Sequence, residues 1–185
     1  YRAEAGLPAM HAVSDSTDER AGGVAAPAAF GTIVLSTGRG VGPTALAAFD
    51  AALLDAGVAN YNLICLSSVI PPGSRLERRR FVTPPQEYGQ RLYVVMSQMR
   101  EERPGHTAHA GIGWVQDEAS GRGLFVELHD GHHDQLLNDL AATLDTMQAN
   151  RGLQLGPLHT EVASATCDGK PVCALVVAVY ASAPW

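Results

Sequence analysis

From Gly31 onward, apolar and polar positions fall into short blocks that read as strands separated by two helices. Gly31–Ser36 forms a first apolar strand, and Gly38-Arg39-Gly40-Val41-Gly42 follows as a flexible turn. That turn lacks the Lys-Ser/Thr ending of a phosphate loop and the Gly-x-Gly-x-x-Gly spacing, so tight-turn geometry is its reading. Pro43 suits a first helical position and Gly57 a helix stop, which predicts a helix between them. Its apolar stripe is Leu46, Phe49 and Leu53, and Asp50 falls within about 40° of Leu46 on a helical wheel. A carboxylate on that side needs a partner. A structural arginine or backbone amide would serve, and so would a cationic ligand entering an anionic pocket wall.

The run Leu63-Ile64-Cys65-Leu66 is too short for a helix and reads as a buried strand, with Cys65 a small core residue. Pro71 and Pro72 cannot donate to a ladder, so this strand stops near Ser67 and Ser68. A polar, irregular connection is expected through Arg80 to Gln90. Leu92–Met99 is the next strand. Thr107–Val115 and Leu124–Leu128 read as a hairpin, with Glu127 sharing a face with Phe125 rather than with Leu124, Val126 and Leu128. Asp134–Asn150 is an amphipathic helix carrying Leu136, Leu137, Leu140, Leu144 and Met147 on one side, with Gly152 after its end. His159–Thr166 and Val172–Ala181 close the chain as strands. Together these predict an α/β sandwich with largely antiparallel sheets. Residues 1–29 have no such period and read as a mobile extension, leaving 30–185 as a single domain.

Composition narrows the function classes. The chain is 46% hydrophobic and 17% charged, with a net charge of −6. That balance argues against nucleic-acid partners and anionic membranes. Only Arg78-Arg79-Arg80 forms a basic run, read as a solvated loop. Three cysteines without a Cys-x-x-Cys give neither a disulfide framework nor a thiolate metal site. No apolar run approaches the roughly 20 residues of a membrane span, and no export signal is evident, so a cytoplasmic protein is expected. His106, His109, His129, Asp130, His132 and His133 are metal-ligating types, but most lie in a Gly-containing turn and read as solvated rather than metal-bound. No Gly-x-Ser-x-Gly elbow marks a serine hydrolase.

The stretch Leu46-Ala47-Ala48-Phe49-Asp50-Ala51-Ala52-Leu53-Leu54-Asp55-Ala56-Gly57, followed by Asn60-x-Asn62-Leu63 and Ser67-Ser68-x-x-Pro-Pro, resembles the pyruvoyl-dependent arginine decarboxylases. Gly123-Leu124-Phe125-Val126-Glu127 and the closing apolar strand agree more loosely, and Leu128-His129-Asp130-Gly131 departs from the more acidic pattern of the family. The resemblance implies a four-layer αββα sandwich, assembled as homotrimers or dimers of trimers with sites between neighbouring subunits.

It also implies a chemistry. Ser68 Oγ attacks the Ser67 carbonyl, the resulting ester eliminates, and loss of ammonia leaves a pyruvoyl group at 68 with no separate cofactor. Asn62 matches the residue that stabilises the oxyanion of that attack. The pyruvoyl ketone then forms a Schiff base with the substrate amine and draws electrons as carbon dioxide leaves. Glu127 matches the proton donor. Asp50, beside Leu46, matches the partner of the guanidinium of L-arginine, the product being agmatine. The same resemblance admits an unprocessed, non-catalytic subunit, or a decarboxylase of another amino acid.

Overall fold

The computed structural model describes residues 31–185, so the extension expected over 1–29 lies outside the described residues. The elements in chain order are β1 (Gly31–Val41), α1 (Ala45–Ala56), β2 (Asn62–Cys65), β3 (Val69–Ile70), β4 (Ser74–Arg78), β5 (Arg91–Glu101), β6 (Thr107–Gln116), β7 (Gly123–Asp130), α2 (His133–Arg151), β8 (His159–Thr166) and β9 (Val172–Ala183). One sheet runs β2-β5-β9-β1-β4 and the other β3-β7-β6-β8. Pairing is antiparallel except for β1 with β4 and β2 with β5. With a helix outside each sheet, the layers are α, β, β, α, as expected.

Three apolar clusters fill the three spaces between layers. Ile33, Leu35, Ile70, Phe125, Val176 and Tyr180 pack between the sheets. Val34, Ala48, Ala52, Leu175 and Val177 join α1 to the first sheet. Leu136, Leu140 and Leu144 of α2 pack on Val115, Leu124 and Val126 of the second. Strand β9 is apolar throughout because both its faces are covered: Ala174, Val176 and Ala178 point between the sheets, Leu175, Val177 and Val179 towards α1.

The structure corrects the reading around α1. Gly38 and Gly40, expected to form a flexible turn with Gly42, instead lie inside β1, where the helix crosses at very short range. A Cβ on Gly38 would sit 2.0 Å from the Ala52 carbonyl oxygen, and one on Gly40 would sit 1.9 Å from that of Ala48. The helix therefore buries its row of small residues, Ala48, Ala52 and Ala56, and not the bulkier stripe. At 3.6 residues per turn, Leu46 and Asp50 lie about 200° from Ala48, on the opposite face. Leu46 is 66% exposed, Asp50 is exposed, and Phe49 and Leu53 flank the contact half-buried. Asp50 is thus not the core-facing carboxylate expected. Nor does Pro43 open the helix: Thr44 caps it, its hydroxyl accepting from the Ala47 N–H at 3.1 Å. Gly57, left-handed at φ 84°, ends it as expected. Gly40→Ala should destabilise the fold by about 3 kcal/mol, since rigid backbone rather than a side chain must move, and a urea melt would show it.

Two further expectations are revised. The connection read as irregular contains β4, paired in parallel with β1. The basic run at its end is bound rather than free: Arg78 pairs with Glu161 at 2.9 Å and lies over the Trp114 ring. Arg80 donates to the Asp55 and Leu54 carbonyls in the last turn of α1. Strand β2 is an edge strand with a half-exposed pattern, and Cys65 at its end is exposed rather than in the core. Among the described residues, no helix is long and apolar enough to cross a membrane.

Candidate active site

The two serines sit where the chain leaves one sheet for the other. β2 belongs to the first sheet and β3 to the second, and only Leu66, Ser67 and Ser68 separate them. On the near side, the Leu66 N–H donates to the Val94 carbonyl of β5 at 2.8 Å. On the far side, the Phe125 N–H of β7 donates to the Ser68 carbonyl at 2.8 Å. The chain is thus anchored to both sheets within three residues, and the Ser67–Ser68 peptide bond spans the crossing.

Ser68 accommodates that crossing with a φ of 58°, the only positive φ of any described residue other than glycine. For a residue with a Cβ, that conformation costs on the order of 1–2 kcal/mol and must be held by its surroundings. The side chain is buried, and its hydroxyl donates to the Glu127 carboxylate, with Oγ 2.8 Å from Oε1 and 2.7 Å from Oε2. Glu127 reaches it because alternation along β7 puts it on the inner face with Phe125, while Leu124 and Val126 point to α2.

Beside this pair opens an apolar cleft of about 350 Å³, lined by Leu66, Ser67, Val69, Pro71, Tyr93 and Tyr180. Tyr180 closes its inner end. Its hydroxyl donates to the Val69 carbonyl at 2.9 Å, and burial, with the Glu127 charge adding to it, pushes its phenol well above the usual range. Neither tyrosine was singled out from the sequence. The only available signal was one polar-tipped aromatic at the end of the apolar run from Val172.

The other expected site residues are not brought to Ser68 within one chain. Asn62 is exposed at the far end of β2, on the order of 16 Å of extended chain from Ser67. Its side-chain amide donates to the Gly89 carbonyl at 2.7 Å. Asp50 and Leu46 lie on the outer side of α1, where they line a separate open cleft of about 500 Å³ with Thr44, Ala47, Phe49 and Leu53. The histidines stay at the other end of β7. Asp130 accepts from the His132 N–H at 2.6 Å, and His109 faces His133 with ring centroids 5.5 Å apart. Burial, and then the neighbouring His133, push the His109 imidazole below its usual range.

The chain is thus a four-layer sandwich with a left-handed, carboxylate-bound serine where it passes from one sheet to the other. Residues 32–183 match the family model for pyruvoyl-dependent arginine decarboxylase. The chain is 34% identical over 153 residues to the pyruvoyl-dependent arginine decarboxylase of Halobacterium salinarum, covering 80% of this chain and 92% of that protein. It is 31% identical over 131 residues to that of Methanothermobacter thermautotrophicus, covering 70% and 83%. A solved pyruvoyl-dependent histidine decarboxylase shares 57% of this chain and 56% of its own at a TM-score of 0.40 and 18% identity, a likeness too slight to bear on the assignment. The chain belongs to the pyruvoyl-dependent arginine decarboxylase family.

The residues present suit a pyruvoyl group at position 68. Ser68 has the side chain from which such a group can form, it is buried, a carboxylate touches it, and the cleft opens beside it.

Proposed function

We propose that this protein cleaves itself between Ser67 and Ser68 and then decarboxylates L-arginine to agmatine and carbon dioxide. The observation that carries the reading is the Ser68–Glu127 contact at the strained sheet crossing. In the first step a bond forms from Ser68 Oγ to the Ser67 carbonyl carbon, and the Ser67–Ser68 C–N bond breaks. The hydroxyl proton passes to the freed amine, and Glu127 is the acceptor placed to carry it. Loss of the Ser68 Cα proton then expels the Ser67 carboxylate from Cβ. Water displaces ammonia from the remaining 2-aminoacrylate, which leaves the pyruvoyl group. The first fragment ends in β2 on one sheet, the second begins next to β3 on the other, and the ladders of both hold them together.

The pyruvoyl group supplies a ketone for the substrate amine and an electron sink as carbon dioxide departs. Phe125 N–H stands where charge on the Ser68 carbonyl oxygen is stabilised. Glu127 delivers the proton to the substrate carbon. The cleft beside the reacting atoms is lined mainly by apolar side chains.

Asp50 and Leu46 lie on an outer face, away from Ser68, so their contribution comes from a second copy of the chain. The exposed apolar face of α1, with Leu46 and Leu54 uncovered, supports such packing. A homotrimer, or a dimer of trimers, places one copy's α1 against the next copy's cleft. Asn62, also exposed, stabilises the oxyanion of processing from the same boundary. Three free cysteines suit a cytoplasmic setting.

Arginine is favoured because Asp50 offers a planar, bidentate partner to a guanidinium, which lysine cannot match. Its exposure removes the argument from a buried, unpaired carboxylate and leaves the charge complementarity. Asp50→Asn should lower kcat/KM for arginine roughly 100-fold, the scale of one charge-assisted pair at an interface, while cleavage at Ser68 proceeds. Carbon dioxide release from arginine, lysine, ornithine, histidine and aspartate tests both substrate and residue. Preference for a neutral amino acid, or equal arginine turnover by both proteins, overturns the arginine reading.

A further inference from the structure

Tyr180 occupies an irregular place in the first sheet. Along β5 and β9 the register pairs Tyr93 with Ala181 and the next residue, Val94, with Val179, so the ladder skips Tyr180. Tyr180 is the extra residue of a β-bulge, a feature that bends a strand and re-aims one side chain. The bulge lies directly beside the end of β2, whose Ile64 and Cys65 pair with the same Tyr93 and Val94. Continuing the inward alternation of Ala174, Val176 and Ala178, the Tyr180 side chain crosses from the first sheet to the second and meets the backbone one residue past Ser68.

Its target carbonyl has no partner in the ladder. Ser68 accepts from Phe125, and an antiparallel ladder alternates, so the Val69 carbonyl turns away from β7. β3 is the edge strand on that side. The Tyr180 hydroxyl fills the position at 2.9 Å, and its ring is fixed edge-on against Phe125 at 6.2 Å between centroids. Two successive carbonyls after the scissile bond are therefore held from opposite sheets, Ser68 by Phe125 and Val69 by Tyr180.

We infer that Tyr180 is a positioning residue for self-cleavage: from the inner face of β9, its hydroxyl pins Val69 and so holds Ser68 in the left-handed conformation from which its hydroxyl attacks. This rests on the cleavage reading above. It acts through the backbone, by its hydrogen bond to the Val69 carbonyl. A left-handed serine relaxes to ordinary φ unless the peptide planes on its C-terminal side are fixed, and the hydroxyl then loses its alignment.

The test is the rate of cleavage after pulse-labelled synthesis of wild type and Tyr180→Phe, with and without hydroxylamine, which cuts the ester of residues 67 and 68. The thermal midpoint of Ser68→Ala is compared with that of Ser68→Ala/Tyr180→Phe. Tyr180→Phe should cleave roughly ten-fold more slowly, the scale of one neutral hydrogen bond. Hydroxylamine should not restore the rate, because the ester itself forms slowly, and the two uncleavable proteins should melt alike. Equal cleavage rates overturn the inference while leaving the cleavage reading intact, as does hydroxylamine rescue or an unfolded double variant. A wild-type chain that never cleaves overturns the cleavage reading, and this inference with it.

Discussion

Replacing Ser68 with alanine is expected to leave the chain in one piece and to abolish carbon dioxide release. The wild type should separate under denaturing mass spectrometry into fragments 1–67 and 68–185, the second blocked by pyruvoyl at its N-terminus. Ser68→Ala removes the hydroxyl that donates to Glu127 at the crossing. It leaves the fold nearly unchanged, because the Ser68 carbonyl still accepts from Phe125. Any change in stability should be small: the hydrogen bond lost, worth about 1–2 kcal/mol, leaves the carboxylate beside an open cleft that admits water. Ser67→Ala is the matching control. Only the Ser67 carbonyl enters the reaction, and its side chain is exposed on the cleft wall, so this variant should still cleave. An intact wild-type chain that releases carbon dioxide from arginine would sink the mechanism. An intact chain with no activity would instead make it a non-catalytic member of its family.

Glu127→Gln should divide the two halves of the chemistry. Protonation of the substrate carbon needs an acid in place at every turnover, and an amide cannot supply one. A fall in kcat of roughly 100-fold or more is expected, the usual contribution of a positioned general acid. Self-cleavage occurs once per molecule, and glutamine keeps an oxygen that accepts from the Ser68 hydroxyl, so the variant should still reach two fragments, only more slowly. Time courses of cleavage and of agmatine formation, measured on the same preparation, separate the two effects. Unchanged turnover would remove Glu127 from the proton-donor role. Failure to cleave would confine its importance to the serine hydroxyl.

Much of this was legible in the chain itself, because it depends on local pattern. The alternation through Leu124–Leu128 set Phe125 and Glu127 on one face, and the structure places that face against Ser68. The strand ends just before the serine pair, although it is the crossing to β3 and not the prolines that ends it, and Gly57 and Gly152 end both helices in left-handed conformations. Helix α2 buries Leu136, Leu140 and Leu144 as its period required, since nothing but apolar bulk decides how it sits.

What the sequence misplaced depended on distances between elements. The side of α1 that faces the sheet was decided by Gly38 and Gly40 in β1, which admit the helix so closely that only alanines fit between. Bulk therefore turned outward, taking Leu46 and Asp50 with it, where a hydrophobic wheel weights bulk towards the core. The assignment of β2 and β3 to different sheets, which makes Ser67–Ser68 a crossing under strain, needs pairing partners dozens of residues away. So does the bulge at Tyr180. A strand's period is set by its own backbone, but its register is set by its neighbours. The sequence alone thus determined the elements, the serine pair and the carboxylate facing it. Only the tertiary structure decided what holds that serine, and which residues of one chain stand apart from it.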